Sequence, residues 1–299
     1  MKLWMLSLVC ILAGVSVAAA QANVRSPAET GVRNVILPVI LEAGSELDPT
    51  AIAREQFELY DGGVPQQIEY FRPDYSPARI VVLVDNTERL QASLDDLSKA
   101  VKALAAHLYQ GDQMMLVAYD EQPEVIEEFT DDRKKLQAGT ALFRIKGSPR
   151  LLDAIADIIT AVFRQQVGVT KRVLILISDG YDWQSKTPFN VVLDNLKRES
   201  IVVYVLQAAD RTHGASRRFG PKPAEVVQKL TQMTGGRAFP LKDASDAAQH
   251  ILQELAERWY QLSYKPREVN IHNNRRLLLI ANNPKIRLRT RQEQPGIRF

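Results

Sequence analysis

Residues 78–89 read ARIVVLVDNTER. Ile80 to Val84 is an unbroken apolar run, without alternation, that stops abruptly at Asp85. Such a run reads as a strand buried on both faces, as in a parallel sheet covered by helices. Residues 173–180 repeat the pattern: Val173 to Ile177 is apolar and passes directly into Ser178-Asp179-Gly180. Two buried strands that each release an aspartate at the carboxyl end predict an α/β fold with a doubly wound, mostly parallel sheet. Its ligand site would lie in the crevice beyond those strand ends.

Working outward, helical spacing of Leu90, Leu94, Leu97, Val101, Leu104 and Leu108 predicts a helix over 90–108. Gln113–Tyr119 is a strand, with Val125–Phe129 beside it. Thr130 or Asp131 caps a helix over 133–143, and a further helix runs over 151–166. After the second buried strand, Pro188 opens a helix to Arg198. Ile201–Leu206 is buried strand, and 208–221 is a long loop carrying Arg211, Arg217 and Arg218. Pro223–Met233 is a helix stopped by Gly235-Gly236, 237–241 a short strand, and 243–257 a helix. The α/β part therefore spans 78–257.

Both flanks read as β. Asn34–Leu41 is strand-like, with Pro38 arguing for an edge. Gln56–Tyr60 and Val64–Phe71 alternate on either side of Asp61-Gly62-Gly63, a hairpin signal. Arg72–Pro77, with two prolines, is a linker. Trp259–Lys265 alternates, and 275–281 and 286–290 are strands joined through Asn282-Asn283-Pro284. The N-terminal segment 34–72 and the C-terminal segment 259–299 are expected to pair as one small β module.

The first twenty residues are different in kind. Lys2 precedes an apolar run, Leu3 to Val17, and Ala18-Ala19-Ala20 supplies small residues before Gln21. This reads as a secretory signal peptide over 1–20, with an uncleaved anchor as the alternative. The one cysteine, Cys10, lies inside that run, so the exported chain, periplasmic or secreted, would hold no disulfide. No later segment is long and apolar enough for a transmembrane helix. The net charge of +3 conceals a basic end: 265–299 holds nine Lys/Arg and two Glu. A basic end on an acidic body could meet nucleic acid or anionic lipid, but a solvated strand face is the plainer reading, and no nucleic-acid partner is expected.

The two aspartate loops carry a resemblance. Asp85-Asn86-Thr87-Glu88-Arg89 resembles the D-x-S-x-S loop of von Willebrand factor type A domains, and Ser178-Asp179-Gly180 resembles their later S/T-D-G loop. The hairpin phrase FELYDGGVPQQI, residues 57–68, resembles that of exported proteins of this group, of the acidobacterial type. So does Tyr260-Gln261-Leu262-Ser263-Tyr264 before basic strands. The resemblance implies a metal-ion-dependent adhesion site in which hydroxyls and carboxylates hold Mg²⁺ or Mn²⁺ and an acidic group of a protein partner completes the shell. Oxygen ligands with only one or two carboxylates suit Mg²⁺. The metal candidates are Asp85, Thr87, Ser148 and Asp179.

Two positions depart from that pattern. Arg89 stands at the third ligand position of the first loop, a cation with no acceptor. In the middle loop, 147–153, Pro149 stands where a Thr is implied, with Ser148 the nearest hydroxyl. A unit charge pair at about 4 Å and an effective dielectric near 20 is worth on the order of 4 kcal/mol, and a dication doubles it. No metal is therefore the expected state, and a degenerate site can arise in two ways. Arg89 replaces the ion and pairs with Asp85 and Asp179, or the two aspartates merely cap helices and accept backbone N–H bonds. Partner-binding candidates are Asp85, Thr87, Arg89, Ser148, Asp179 and Trp183, the last either an exposed anchor or packed beneath its loop. His107, His213, His250 and His272 show no metal-ligand spacing. The 211–218 arginine loop could receive acidic groups. The reading is a protein-binding, non-enzymatic chain. The alternatives are a Mg²⁺-dependent hydrolase using Asp85 and Asp179, and a purely structural envelope component.

Overall fold

The computed structural model describes residues 34–42, 52–88, 90–169, 171–213 and 221–297. The leader at 1–20 with Cys10, and Arg89, Arg217 and Arg218, lie outside the described residues. Residues 33–299 form one compact unit.

The centre is a six-stranded sheet built on β5 (Ala78–Asp85). Beside it lie β6 (Gln113–Tyr119) and β8 (Lys171–Ser178), both parallel to it. Outside β8 come β9 (Ile201–Gln207) and β10 (Ala238–Pro240), and outside β6 comes the antiparallel β7 (Pro123–Thr130). Ile80 to Val84 is wholly buried because each face of the strand meets helices. Ile80, Val82 and Val84 pack with α1 (Leu94–Ala106), α2 (Arg133–Gly139) and α6 (Ala244–Glu257). Val81 and Leu83 pack with α3 (Leu151–Ala161), α4 (Phe189–Arg198) and α5 (Pro223–Thr234). Burying these five side chains contributes on the order of 10 kcal/mol before chain entropy is counted. The helices alternate in face around β5, so the winding reverses between β5 and β8. That places the carboxyl ends of those two strands at the switch point.

Helix boundaries follow caps rather than periodicity. α1 starts at Leu94, not Leu90, because Ser93 accepts from the Asp96 amide at 3.1 Å and Asp96 returns to the Ser93 amide at 3.0 Å. Asp132, one residue beyond the expected caps, accepts from the amides of Lys134 and Lys135 and starts α2. α3 ends at Ala161, and a 3₁₀ turn over Phe163–Gln165 completes the stretch expected to be helix.

The flanking strands form two four-stranded antiparallel sheets. One has the order β13 (Leu288–Thr290), β1 (Val35–Leu41), β11 (Trp259–Tyr264), β4 (Ile68–Pro73). The other runs β14 (Glu293–Gln294), β12 (Arg275–Ala281), β2 (Phe57–Asp61), β3 (Val64–Gln66). Strands from 35–73 and from 259–294 thus share both sheets and one core. β2 and β3 join through Gly62 and Gly63, at φ +60° and +85°, the conformation of a tight two-residue hairpin loop. The run read as one strand over 64–71 is in fact β3 and β4, which belong to different sheets.

Three expectations are corrected here. Pro38 is not on an edge strand, since β1 lies between β13 and β11. Its carbonyl accepts from Thr290 Oγ1 at 2.7 Å, so its missing N–H points to the same side, where the β13 ladder begins only at Val39. β11 does not present an alternating exposed face, because all six residues are buried. Trp259 joins the core of the central sheet, Tyr260, Leu262 and Tyr264 fill the β module, and Gln261 and Ser263 bond to Asp74 and Glu69. The basic end is not simply a solvated face. Arg275 pairs with buried Asp61, Arg289 with buried Glu254, and Arg291 is buried with Ser200 Oγ at 2.8 Å.

The chain enters and leaves the α/β part at the amino ends of its strands. The Asp74 amide donates to the Trp259 carbonyl at 2.8 Å, and Lys171 Nζ to the Leu255 carbonyl at 2.8 Å. The site lies at the opposite edge.

Candidate binding site at the carboxyl edge of the sheet

β5 and β8 run side by side with Val84 opposite Ile177, so Asp85 and Ser178-Asp179 emerge together. Both aspartates are fully buried. Asp85 Oδ1 accepts from the Thr87 amide at 3.0 Å and from its hydroxyl. This turns the chain sharply after the strand. Asp85 Oδ2 lies 3.2 Å from Tyr119 Oη and 3.2 Å from Ser178 Oγ. Asp179 Oδ1 accepts from the Tyr181 amide at 2.9 Å.

Between the two carboxylates sits the guanidinium of Arg211, its side chain 6% exposed. It lies four residues beyond the end of β9 and is delivered by a turn in which Asp210 accepts from the Thr212 amide and hydroxyl. Nε donates to Asp179 Oδ2 at 2.7 Å, and Nη2 to Asp179 Oδ1 at 3.0 Å and to Asp85 Oδ2. Nη1 donates to Thr87 Oγ1 at 2.9 Å and to the Glu88 carbonyl at 3.4 Å. All five guanidinium donors are engaged, and the Arg211 amide adds a bond to Asp179 Oδ2 at 3.0 Å. The fork on Asp179 is the bidentate geometry that suits arginine and that a lysine could not reproduce.

Two carboxylates against one guanidinium leave a surplus negative charge in a dry site. Burial pushes the Asp85 carboxyl above its ordinary range, against the opposing pull of Arg211 and Thr87. Burial works to lower Arg211, but the bonds and charges of Asp179 and Asp85 outweigh it and hold the guanidinium above its usual value. The Tyr119 phenol is pushed well up by burial and by the Asp85 charge, so it stays a donor.

The arginine expected at this position was Arg89; the one that occupies it is Arg211. The signal was present in the sequence, as a cation four residues after a buried strand adjacent to the one carrying Asp179. The 3.6- and 2-residue periods cannot say where a loop side chain lands. The sequence therefore places Arg211 only in a loop able to receive acidic groups and Ser178 only in the S-D-G loop, and it singles out Tyr119 not at all. Asp85 and Asp179 cap no helix, although both accept backbone N–H bonds, from Thr87, Tyr181 and Arg211. Ser148 does not join the aspartates. It lines a cleft beside them and makes no hydrogen bond among the described residues.

That cleft, of roughly 370 Å³, is lined by buried Arg211 with Thr212, by Gly147-Ser148-Pro149, by Tyr181 and Trp183, and by the exposed Glu88. Trp183 is 45% exposed, so it is not packed under its loop. Its ring lies 6.4 Å from that of Tyr181 at an interplanar angle of 12°, and its amide donates to the Pro149 carbonyl at 2.6 Å. Asp182 accepts from the Leu152 amide, and Asp153 from the amides of Lys186 and Thr187, so the loop is bound to the start of α3. Gly180, at φ +83°, lets this loop pass α5. A Cβ there would meet the Pro223 carbonyl oxygen and Val227 Cγ2, each at 2.7 Å.

The strand order, the reversal between β5 and β8 and the paired aspartate loops together decide the fold. The α/β part is a von Willebrand factor type A-like fold. The family model for the von Willebrand factor type A domain matches residues 80–181. The match covers both aspartate loops and ends before Arg211, and the hairpin at 57–68 lies outside it. No curated protein matches the chain. Among solved structures, an aerotolerance-related membrane protein from Bacteroides fragilis is similar at 15% identity and TM-score 0.47, over 60% of this chain and 98% of that one. A von Willebrand factor type A protein from Catenulispora acidiphila is similar at 12% identity and TM-score 0.48, over 87% of this chain and 72% of that one. Proximal thread matrix protein 1 from the mussel byssus is similar at 15% identity and TM-score 0.48, over 63% and 49%.

A type A fold raises the question of a divalent ion. Asp85 Oδ2, both Asp179 oxygens and Thr87 Oγ1 are the oxygens such an ion would use, and all four are bonded to Arg211. In this arrangement the residues do not fit a metal. Among the described residues no group of three or more His, Cys, Asp or Glu converges as metal ligands. His250 pairs with Glu254 and His213 with Gln91. No helix among the described residues is long and apolar enough to cross a membrane.

Proposed function

We propose that this chain is an exported, non-enzymatic type A protein that binds another protein at the carboxyl edge of its sheet. In this reading Arg211 stands permanently where a divalent ion would sit. The engagement of all five Arg211 donors by Asp85, Asp179, Thr87 and the Glu88 carbonyl carries the reading. A fixed organic cation holds the two aspartate loops in register as an ion would, yet offers no open coordination position. The rim is then rigid without a cofactor, and recognition passes to the surface around it, Ser148 and Trp183 included. The same geometry weighs against the hydrolase alternative, since Asp85 has no oxygen free to activate water. Export rests on the leader-like residues 1–20, and the arginines engaged inside the β module favour a protein partner over nucleic acid.

The test is calorimetric titration of Mg²⁺ and Mn²⁺ into chelator-stripped protein and into Arg211→Ala. The native chain is expected to give no binding heat, and Arg211→Ala, which frees four oxygens, to bind. Metal binding by the native chain that requires Asp85 would overturn the reading.

A further inference from the structure

An adhesion site with an open metal position draws in an acidic side chain, because the ion is a positive charge with a vacant coordination position. Among the described residues this rim carries the opposite balance, three carboxylates to one guanidinium. Asp85 and Asp179 share the single guanidinium of Arg211. Every N–H of that guanidinium is engaged, so an incoming carboxylate finds no donor on it. The exposed Glu88 has no side-chain partner among the described residues and is the one acidic residue among those lining the cleft. The cleft is also lined by the near-parallel pair Tyr181 and Trp183, with Trp183 open to solvent and its loop bonded to α3. Aromatic faces attract cations, and a carboxylate across a gap fixes where the cation sits. Arg211 shows this locally, its guanidinium carbon lying 5.3 Å from the centre of the Tyr181 ring.

We infer that the cleft between Glu88 and the Tyr181–Trp183 pair receives a basic side chain, lysine or arginine, of the protein partner. The recognition polarity is thus reversed from that of a metal-bearing rim. The inference rests on the metal-free reading above. Arg211 lines the cleft already neutralised by Asp85 and Asp179, and Trp183 supplies the exposed face against which the basic group stacks. The cleft volume accommodates a single long side chain rather than a folded element.

The experiment uses three capped tripeptides, Gly-Arg-Gly, Gly-Lys-Gly and Gly-Glu-Gly, titrated into ¹⁵N-labelled protein. The Trp183 indole and the Gly147 and Thr212 amides are followed by NMR, with EDTA and separately with Mg²⁺. The two basic peptides are expected to move these signals saturably in EDTA, and the acidic one to leave them in place. Glu88→Gln and Trp183→Leu, read through Gly147 and Thr212, are each expected to weaken binding roughly twofold to fivefold. Added salt should weaken it further. Tighter binding of the acidic peptide in EDTA, or no movement with any peptide under either condition, would overturn the inference and leave the Arg211 clamp standing. Acidic-peptide binding that appears only with Mg²⁺ would overturn both.

Discussion

Asp85 and Asp179 are chemically identical but not equivalent, because Arg211 divides itself unequally between them. Asp179 takes the fork and the Arg211 amide; Asp85 takes one guanidinium nitrogen and carries the surplus charge. Asp179→Asn leaves Arg211 paired with Asp85 but weakens the fork and the amide bond, and is therefore expected to destabilise the fold by about 2–3 kcal/mol, the range of lost charge-assisted hydrogen bonds. Asp85→Asn removes surplus charge and should cost about 1–2 kcal/mol, mostly in lost hydrogen bonds. Urea unfolding of both variants checks the order. A pH dependence follows from the raised Asp85 carboxyl. The folded chain takes up this proton at a pH where the unfolded chain, titrating near ~3.9, is still ionised. Stability from this group is thus fully present below the unfolded value and is lost as pH rises through the folded one. Subtracting the Asp85→Asn stability curve from the native one should show that loss on the alkaline side of ~4. A flat difference would place the surplus charge elsewhere. At this scale the sequence was half legible. Asp85 and Asp179 were readable because strand ends fix them, and Thr87 through the resemblance of its loop. The cation between them was not, because the long loop that supplies it has no period to betray its path.

The elements were more legible than their limits. An unbroken apolar run can be satisfied only by cover on both faces, so β5 and β8 admitted one reading. β11 did not, because its alternation of Tyr and Leu with Gln and Ser looks half-exposed until Asp74 and Glu69 are found beside the polar side chains. Pro38 misled in the same way, since a strand can be interior along one half and unpaired along the other. Between elements, the tightest fit near the site is Gly180 against α5. Gly180→Ala should cost more than about 2 kcal/mol, from the left-handed backbone and from the collision with Pro223 and Val227 together. Gly63→Ala shares the positive φ but meets nothing within 4 Å, so it should cost only the backbone share, about 1 kcal/mol. Thermal unfolding of the pair separates the two effects. Equal losses would mean that the close approach of α5 carries no energy.

Across the whole molecule, the α/β part is an insertion between adjacent antiparallel strands, β4 and β11, of a module closed by the chain's two ends. The closure holds a buried charge cluster. Asp61 accepts from Arg275 Nε at 2.8 Å and from Tyr264 Oη at 2.9 Å, drawing β2, β12 and β11 together. Arg275→Met should destabilise by about 3–5 kcal/mol by stranding Asp61, whereas the double change Asp61→Leu with Arg275→Met should cost less than that single change. A double variant worse than Arg275→Met would show that the pair, and not the stranded charge, supplies the stability. The pairing of the two ends was legible as soon as both flanks read as strands, although the division into two sheets was not. The insertion also sets a polarity of display. β1 begins opposite Tyr264, far from the junction, and reaches the junction at Ile40 opposite Trp259. β5 then carries the chain eight residues onward, about 25 Å, to the aspartate rim. Val35 thus stands at the end of β1 remote from the junction and the rim at the end of β5 remote from it, so a partner held at the rim is kept at least a full strand's length away from the β module's own connection to the α/β part.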